Sequence, residues 1–440
     1  FEYHHMNEYR RGGNLLDRPP HEADIAEQLE HSIDGGGLKF DLFSKDYKHK
    51  WSVFTSAQNT DRDSYYGTNQ DPNAYGKTTD LTVMAGTQYA YSFDKFLFMP
   101  SDLTAGLEYS FDHLKDEMIG YNRFTNQKVH IESAFLQNEW KNKRWSFLIG
   151  GRLDKHNLID HVIFSPRANL RYNPTENINL RFSYSSGFRA PQAFDEDLHV
   201  ENVGGNVAMV ELADNLKEER SQSLSASADI YHRFGAFQVN FLVEGFYTKL
   251  SDVFALTDGE VVDGILTRTR YNAPGARVMG LTLEGKMAYL TKFQVQAGVT
   301  LQQSHYSEPH VWNKEAPAVK KMMRTPNTYG YFTATYTPIK PLSIALSGTY
   351  TGSMLVPHEP VPGFLENPIT VNTKDFFDIG LKAAYDFKLY KSMNLQVNAG
   401  VQNIFNAYQN DFDKGADRDS GYIYGPSLPR SFFAGVKISY

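Results

Sequence analysis

The chain has 440 residues, of which 44 are basic and 51 acidic for a net charge of −7, and it holds no cysteine. Nothing in that balance could neutralise a row of phosphates, so no nucleic-acid partner is expected, and disulfides, thiolate nucleophiles and cysteine-based zinc sites are excluded. Mean hydropathy is −0.48, and no stretch comes near the roughly 18 consecutive apolar residues of a membrane-spanning helix; a membrane barrel, whose alternating strands average to polar, stays open.

In chain order the dominant signal is alternation with period two, the mark of strands with one apolar face. Residues 1–10 read as the end of a strand, and segments follow at 22–45, 49–61, 79–93, 103–113, 129–141, 143–155, 165–173, 177–187, 219–234, 236–250, 266–290, 292–306, 324–338, 341–353, 374–388, 391–406 and 430–440. Leu224, Ala226, Ala228 and Ile230 alternate with Ser223, Ser225, Ser227 and Asp229; Leu395, Val397, Ala399 and Val401 alternate with Gln396, Asn398, Gly400 and Gln402. Phe293 to Leu301 and Phe432 to Tyr440 repeat the pattern. The fold class read from this is all-β, as one domain over 1–440. The opening Phe1-Glu2-Tyr3-His4-His5 lacks Met, a charged n-region and an apolar h-region, so a fragment of a longer polypeptide is expected.

Connections are expected to alternate in length. Short ones fall at Asp46 to Lys48, Asn142, Asn173 to Glu176, Gly235, Thr291, Ile339-Lys340 and Lys388 to Tyr390; long ones cover 62–78, 114–128, 188–218, 251–265, 307–323, 354–373 and 407–429. Tight turns at one end and long loops at the other are the polarity of an outer-membrane barrel. Aromatics collect at strand ends, among them Tyr89, Tyr91, Phe93, Tyr109, Phe111, Tyr184, Phe246, Tyr247, Tyr336, Tyr350 and Tyr385. Such rings favour membrane–water boundaries. The expectation is a transmembrane antiparallel β-barrel with lipid on its apolar side; the alternative is a large soluble β domain that buries these rings.

Catalytic signatures are lacking: there is no H-E-x-x-H and no G-x-S-x-G, and no enzyme is expected. Gly280 to Lys286 mimics a phosphate loop, but Met287 takes the Ser/Thr position and the residues alternate as a strand. Loop 188–218 offers Phe188, Arg189, Asp195, Glu196, Asp197 and His199, a set for a cation or a polar ligand; the plainer reading is a solvated cap. Loop 307–323 offers His310 and Trp312 beside Lys320 and Lys321, an aromatic and cationic grip. Asp411, Asp413, Asp417 and Asp419 supply carboxylates as calcium loops do, followed by Tyr422 and Tyr424. That spacing lacks the terminal Glu of such loops, so plain acidic surface is the commoner outcome.

Four stretches carry a resemblance to a known family: Gly187-Phe188-Arg189-Ala190-Pro191 with Asn215-Leu216-Lys217; Arg324-Thr325-Pro326-Asn327; Val401-Gln402-Asn403-Ile404-Phe405-Asn406; and Gly425-Pro426-Ser427-Leu428-Pro429-Arg430 leading to Tyr440. Over essentially its whole length the chain resembles the barrel of a TonB-dependent outer-membrane receptor, in the style of Bacteroidetes members. The resemblance implies a barrel of about 22 strands with a plugged lumen. Counting back from Tyr440 makes residues 1–10 the fifth strand, so this chain would hold about 18 strands, from the fifth on, and lack the plug. It implies capture and energised import of a metal chelate (ferric siderophore, haem or cobalamin) as ligand, with no cofactor required. The partners it implies are the TonB–ExbB–ExbD complex acting through the plug, the barrel-assembly machinery reading Tyr440, membrane lipid and a surface lipoprotein. In haem receptors a His after the Phe-Arg-Ala-Pro stretch ligates iron, the place taken here by His199; the family's N-P-[DN]-L is altered to Asp214-Asn215-Leu216. A passive porin, which has fewer strands and needs no plug, is the rival reading. An outer-membrane lipase comes third.

Overall fold

A computed structural model describes residues 1–193, 201–203, 206–257, 259–262, 265–390, 392–415, 418–419 and 421–440. Nineteen strands form one sheet. One of them, Val319–Lys321, is a short addition beside Phe293–His310; the other 18 follow chain order, each antiparallel to the next. They are Glu2–Gly13, Ile25–Phe43, His49–Thr68, Tyr75–Phe96, Met99–Met118, Arg123–Lys141, Trp145–His156, Ile163–Thr175 and Ile178–Arg189, then Glu219–Phe234, Phe237–Ser251, Ala276–Tyr289, Phe293–His310, Thr328–Ile339, Leu342–Thr351, Phe376–Tyr390, Met393–Gln402 and Ser431–Ser439. Each expected segment corresponds to one of these. No helix among the described residues is long and apolar enough to cross a membrane.

The register puts apolar residue against apolar residue across the sheet, because paired residues point to the same side. Leu395 to Val401 pair with Ile438 to Phe432 position by position. At mid-height the row runs Thr87, Leu107, Ala134, Leu153, Phe164 over five strands. These side chains lie open: Leu107 is 61% exposed and Phe432 78%. Apolar clusters with buried members are small among the described residues and sit at the long-loop end, around Tyr66 and Met118, Tyr65 and Ala74, Ile163 and Ala190, and Tyr422 and Tyr424. The wall therefore has no core of its own, and an exposed apolar surface of this extent needs a hydrocarbon neighbour.

The opposite face is polar and internally paired. Arg152 holds Glu108 and Asp154, Lys286 holds Glu284 at 2.7 Å, and Ser133 donates to Asp154 at 2.6 Å. At the short-turn end the apolar face closes on stacked rings, with Trp145 and Tyr172 centroids 4.1 Å apart and Phe96 and Trp140 6.1 Å apart. Phe237 and Tyr289 continue the girdle at 4.6 Å. Gly235, at φ +57°, makes the tight turn joining two of these strands.

Three expectations are corrected. The stretches 62–78 and 114–128 are mostly strand, leaving connections only at 69–74 and 119–122. The outward face takes up charge there at Asp63, Lys77, Lys115 and Glu117, so the apolar alternation fades while the backbone ladder continues. Arg62 and Arg123 flanking the buried Asp116 hold those strand ends together. The segment 266–290 breaks at Pro274-Gly275: Ile265–Ala273 leaves the wall, and only Ala276–Tyr289 belongs to it. Phe246 pairs with Gly280 on the polar face, one position off the outward Gly245 and Tyr247.

Leu107→Lys, at mid-height on the apolar face, is expected to cost about 2–4 kcal/mol of folding stability in lipid vesicles. Gln58→Lys on the polar face should cost less than about 1 kcal/mol. Urea titration of vesicle-inserted receptor reads both.

Candidate functional site

At the long-loop end, pieces of two connections pair into a five-stranded sheet outside the wall. Asn206–Leu212 runs parallel to Ile265–Ala273, which also pairs with Val253–Leu256 and Glu260–Val262, while Glu201–Val203 pairs with Asn206–Leu212. The loops after Arg189 and Ser251 are thereby tied into one unit.

Beneath this unit lies a cavity of about 970 Å³, closed on its other side by the 307–323 connection. One wall centres on Phe254. Arg189 and Arg270 bring their guanidinium carbons to 5.7 and 5.9 Å from its ring, and Arg270 is buried. Glu219 accepts the Phe254 backbone N–H at 2.5 Å and stands 3.8 Å from Arg189. The facing wall is aromatic: Tyr306 and His310 lie 4.8 Å apart between ring centroids, and Trp312 follows. Burial pushes the His310 pKa down, so the ring is neutral at pH 7. The Trp312 indole N–H is buried with no acceptor among the described residues. Cations over a ring on one side, with an unused donor amid aromatic faces on the other, suit a ligand carrying both oxygen acceptors and flat apolar surface.

Of the residues expected at a site, Arg189, His310 and Trp312 meet in this cavity. Phe188 packs instead against Ile159, Ile163 and Ala190. Asp195, Glu196, Asp197 and His199 lie outside the described residues, as does Asp417. Tyr422 and Tyr424 belong to a separate buried cluster with Met354, Val356 and Phe376. Burial and the adjacent Asp411 raise the Tyr424 pKa, and its hydroxyl donates to Asp411 at 2.6 Å. His358 stacks on Tyr422 at 3.8 Å and meets Asp413 at 2.8 Å. Asp419 accepts the backbone N–H groups of Glu359 and Gly421. These carboxylates serve the loop's own donors, and no group of three or more metal-ligating side chains occurs among the described residues.

A family model described as TonB dependent receptor-like, beta-barrel, matches residues 7–404. The chain belongs to that family. It is thus an outer-membrane receptor barrel, in a family of receptors and transporters rather than enzymes. A search of curated proteins finds no match. Among solved structures, the siderophore receptor PirA from Acinetobacter baumannii is similar at 15% identity and TM-score 0.67, over 94% of this chain and 62% of that one. The FrpB iron transporter from Neisseria meningitidis is similar at 15% identity and TM-score 0.67, over 99% and 68%. The ferric enterobactin receptor PfeA from Pseudomonas aeruginosa, as an R480A mutant in complex with enterobactin, is similar at 17% identity and TM-score 0.67, over 95% and 63%. This chain thus spans less than two thirds of the PirA structure.

Sequence reasoning missed Phe254, Arg270 and Tyr306. The signal available was Arg268-Thr269-Arg270-Tyr271, which places cations at alternate positions of a stretch read as lipid-facing strand.

Because burial favours neutral His310, the 307–323 connection should lose stability as pH falls below about 6.5, where the unfolded ring takes up its proton. Hydrogen exchange of amides 306–312, corrected for intrinsic rates, should be faster at about pH 5 than at about pH 8, and His310→Gln should level the difference.

Proposed function

We propose that the complete receptor captures an extracellular ferric chelate in the mouth cavity and imports it with energy delivered by the TonB–ExbB–ExbD complex through a lumenal plug. The observation that carries this reading is the cavity itself: a space of ligand size, roofed by tied loops and walled by Arg189, Arg270, Phe254, His310 and Trp312. Family membership supports the energised route over a passive porin. Among chelates, a siderophore is the reading favoured: solved structures similar to this chain include siderophore receptors, whereas the haem reading rests on His199 and a motif altered at Asp214. Tyr440, fully exposed after the last strand, suits a signal read by the barrel-assembly machinery.

Trp312→Ala and Arg189→Ala, each removing a cavity-wall group, should weaken binding of ferric enterobactin by roughly tenfold or more in quenching titrations of the complete receptor. Unchanged affinity in both variants would contradict the mouth site. Uptake of radioactive iron from the same chelate should stop in cells lacking TonB. Haem binding that falls in His199→Ala while ferric enterobactin fails to bind would favour haem instead.

A further inference from the structure

Below the mouth cavity, one strip of the lumenal wall gathers several arginines on two adjoining strands. Several cations on the polar face sit on carboxylates: Arg152 on Glu108 and Asp154, Lys286 on Glu284, Lys141 on Asp102. Arg167, Arg171 and Arg181, on the adjoining strands Ile163–Thr175 and Ile178–Arg189, are within ion-pair distance of no carboxylate among the described residues. Arg171 and Arg181 face each other directly across the ladder, a like-charge pairing that is unfavourable with nothing between the groups. Arg171 spends one N–H on the Asn142 carbonyl at 3.3 Å, and its buried Nε has no partner. The carboxylate diagonal to Arg181, Asp229, is taken by Tyr231 and Asn240. Arg167 and Arg181 are exposed to the lumen.

The spacing along the wall is regular. Arg189, in the mouth cavity, is on the same face of the same strand as Arg181. Arg167 pairs with Ser185, four residues below Arg189, and Arg171 pairs with Arg181, four below that. At about 3.3 Å per residue the steps are about 13 Å each, and the run is about 26 Å long. Between the arginines the same face carries Asn169, Ser183 and Ser185, so no apolar barrier interrupts it.

We propose that Arg189, Arg167 and the Arg171–Arg181 pair form a guanidinium trail that draws a multiply anionic chelate, with carboxylate or catecholate oxygens at its surface, from the mouth towards the short-turn end. The proposal rests on the import reading and narrows its substrate class. Guanidinium forks match such oxygens in pairs, and an anion lodged between Arg171 and Arg181 removes their repulsion. Successive sites of this kind bind well enough to admit an ion and loosely enough to release it.

The test uses the complete receptor in iron-starved cells, with ferric enterobactin and ferric citrate, both multiply anionic, as probes. The double variant Arg167→Gln with Arg181→Gln should import either probe roughly tenfold more slowly or worse at saturation. Affinity at the mouth should stay within about twofold, because Arg189 and Trp312 are untouched. Arg167→Lys with Arg181→Lys, which keeps the charge, should restore most of the rate. An unchanged rate in the Gln pair, or a Lys pair as slow as the Gln pair, overturns the trail and leaves the import reading standing. If the Gln pair admits vancomycin, the arginines hold an acidic chain segment in the lumen, and the trail is overturned in that way. A wild-type receptor that imports neither probe overturns both readings.

Discussion

In hydrocarbon no water is available to a backbone N–H or C=O, so a membrane wall of strands must satisfy every such group through its neighbours. The 18-strand ladder meets that condition along its length, since each strand pairs on both sides except Glu2–Gly13 and Ser431–Ser439 at the edges of the described sheet. Once the backbone is paired, the side chains have only two environments to choose between. The alternation Leu224–Ile230, repeated in register on strand after strand, is that choice written into sequence. It also explains the lack of a buried core: Leu107 or Phe432 is stabilised by lipid rather than by another layer of protein.

Above the lipid the constraint relaxes, and the two sides of the molecule use the freedom differently. The strands from Ile25 to Lys141 simply continue upward, locked by Asp116 between Arg62 and Arg123 and by the Tyr65 and Tyr66 clusters. Further along, shorter strands leave long connections, which pair with each other into the mouth sheet. The cavity lies under that sheet because the wall brings Arg189 and His310, at two strand ends, to one rim with Phe254 and Arg270 from the connection after Ser251. The wall fixes where these elements start, and loop-to-loop pairing fixes how they close.

The wall was legible in the sequence because lipid on one side and water on the other impose a period of two, and no other packing demand overrides it. Legibility ended where that contrast ended. Lys77, Lys115 and Glu117 alternate with polar partners as well, so strand and loop look alike at 62–78 and 114–128. Arg268 and Arg270 sit in an alternating stretch that belongs to the mouth sheet, and only Pro274-Gly275 marks the change. Arg189, His310 and Trp312 were recognisable one at a time by residue type. Their meeting depends on pairing between Asn206–Leu212 and Ile265–Ala273, which leaves no periodic trace. Tyr422 and Tyr424 were recognisable by residue type as well, whereas the partner of their hydroxyls, Asp411, shows only in the folded loop.

The central claim is that one face of these strands meets hydrocarbon and the other a polar lumen. Because the chain has no cysteine, single cysteines can carry a spin label at each position from 294 to 300 in the complete receptor in lipid bilayers. Oxygen accessibility should peak at Val295, Ala297 and Val299 and fall at Gln294, Gln296, Gly298 and Thr300, with the reverse pattern for a polar nickel chelate. Oxygen peaks at the even positions, or no alternation at all, would contradict the account.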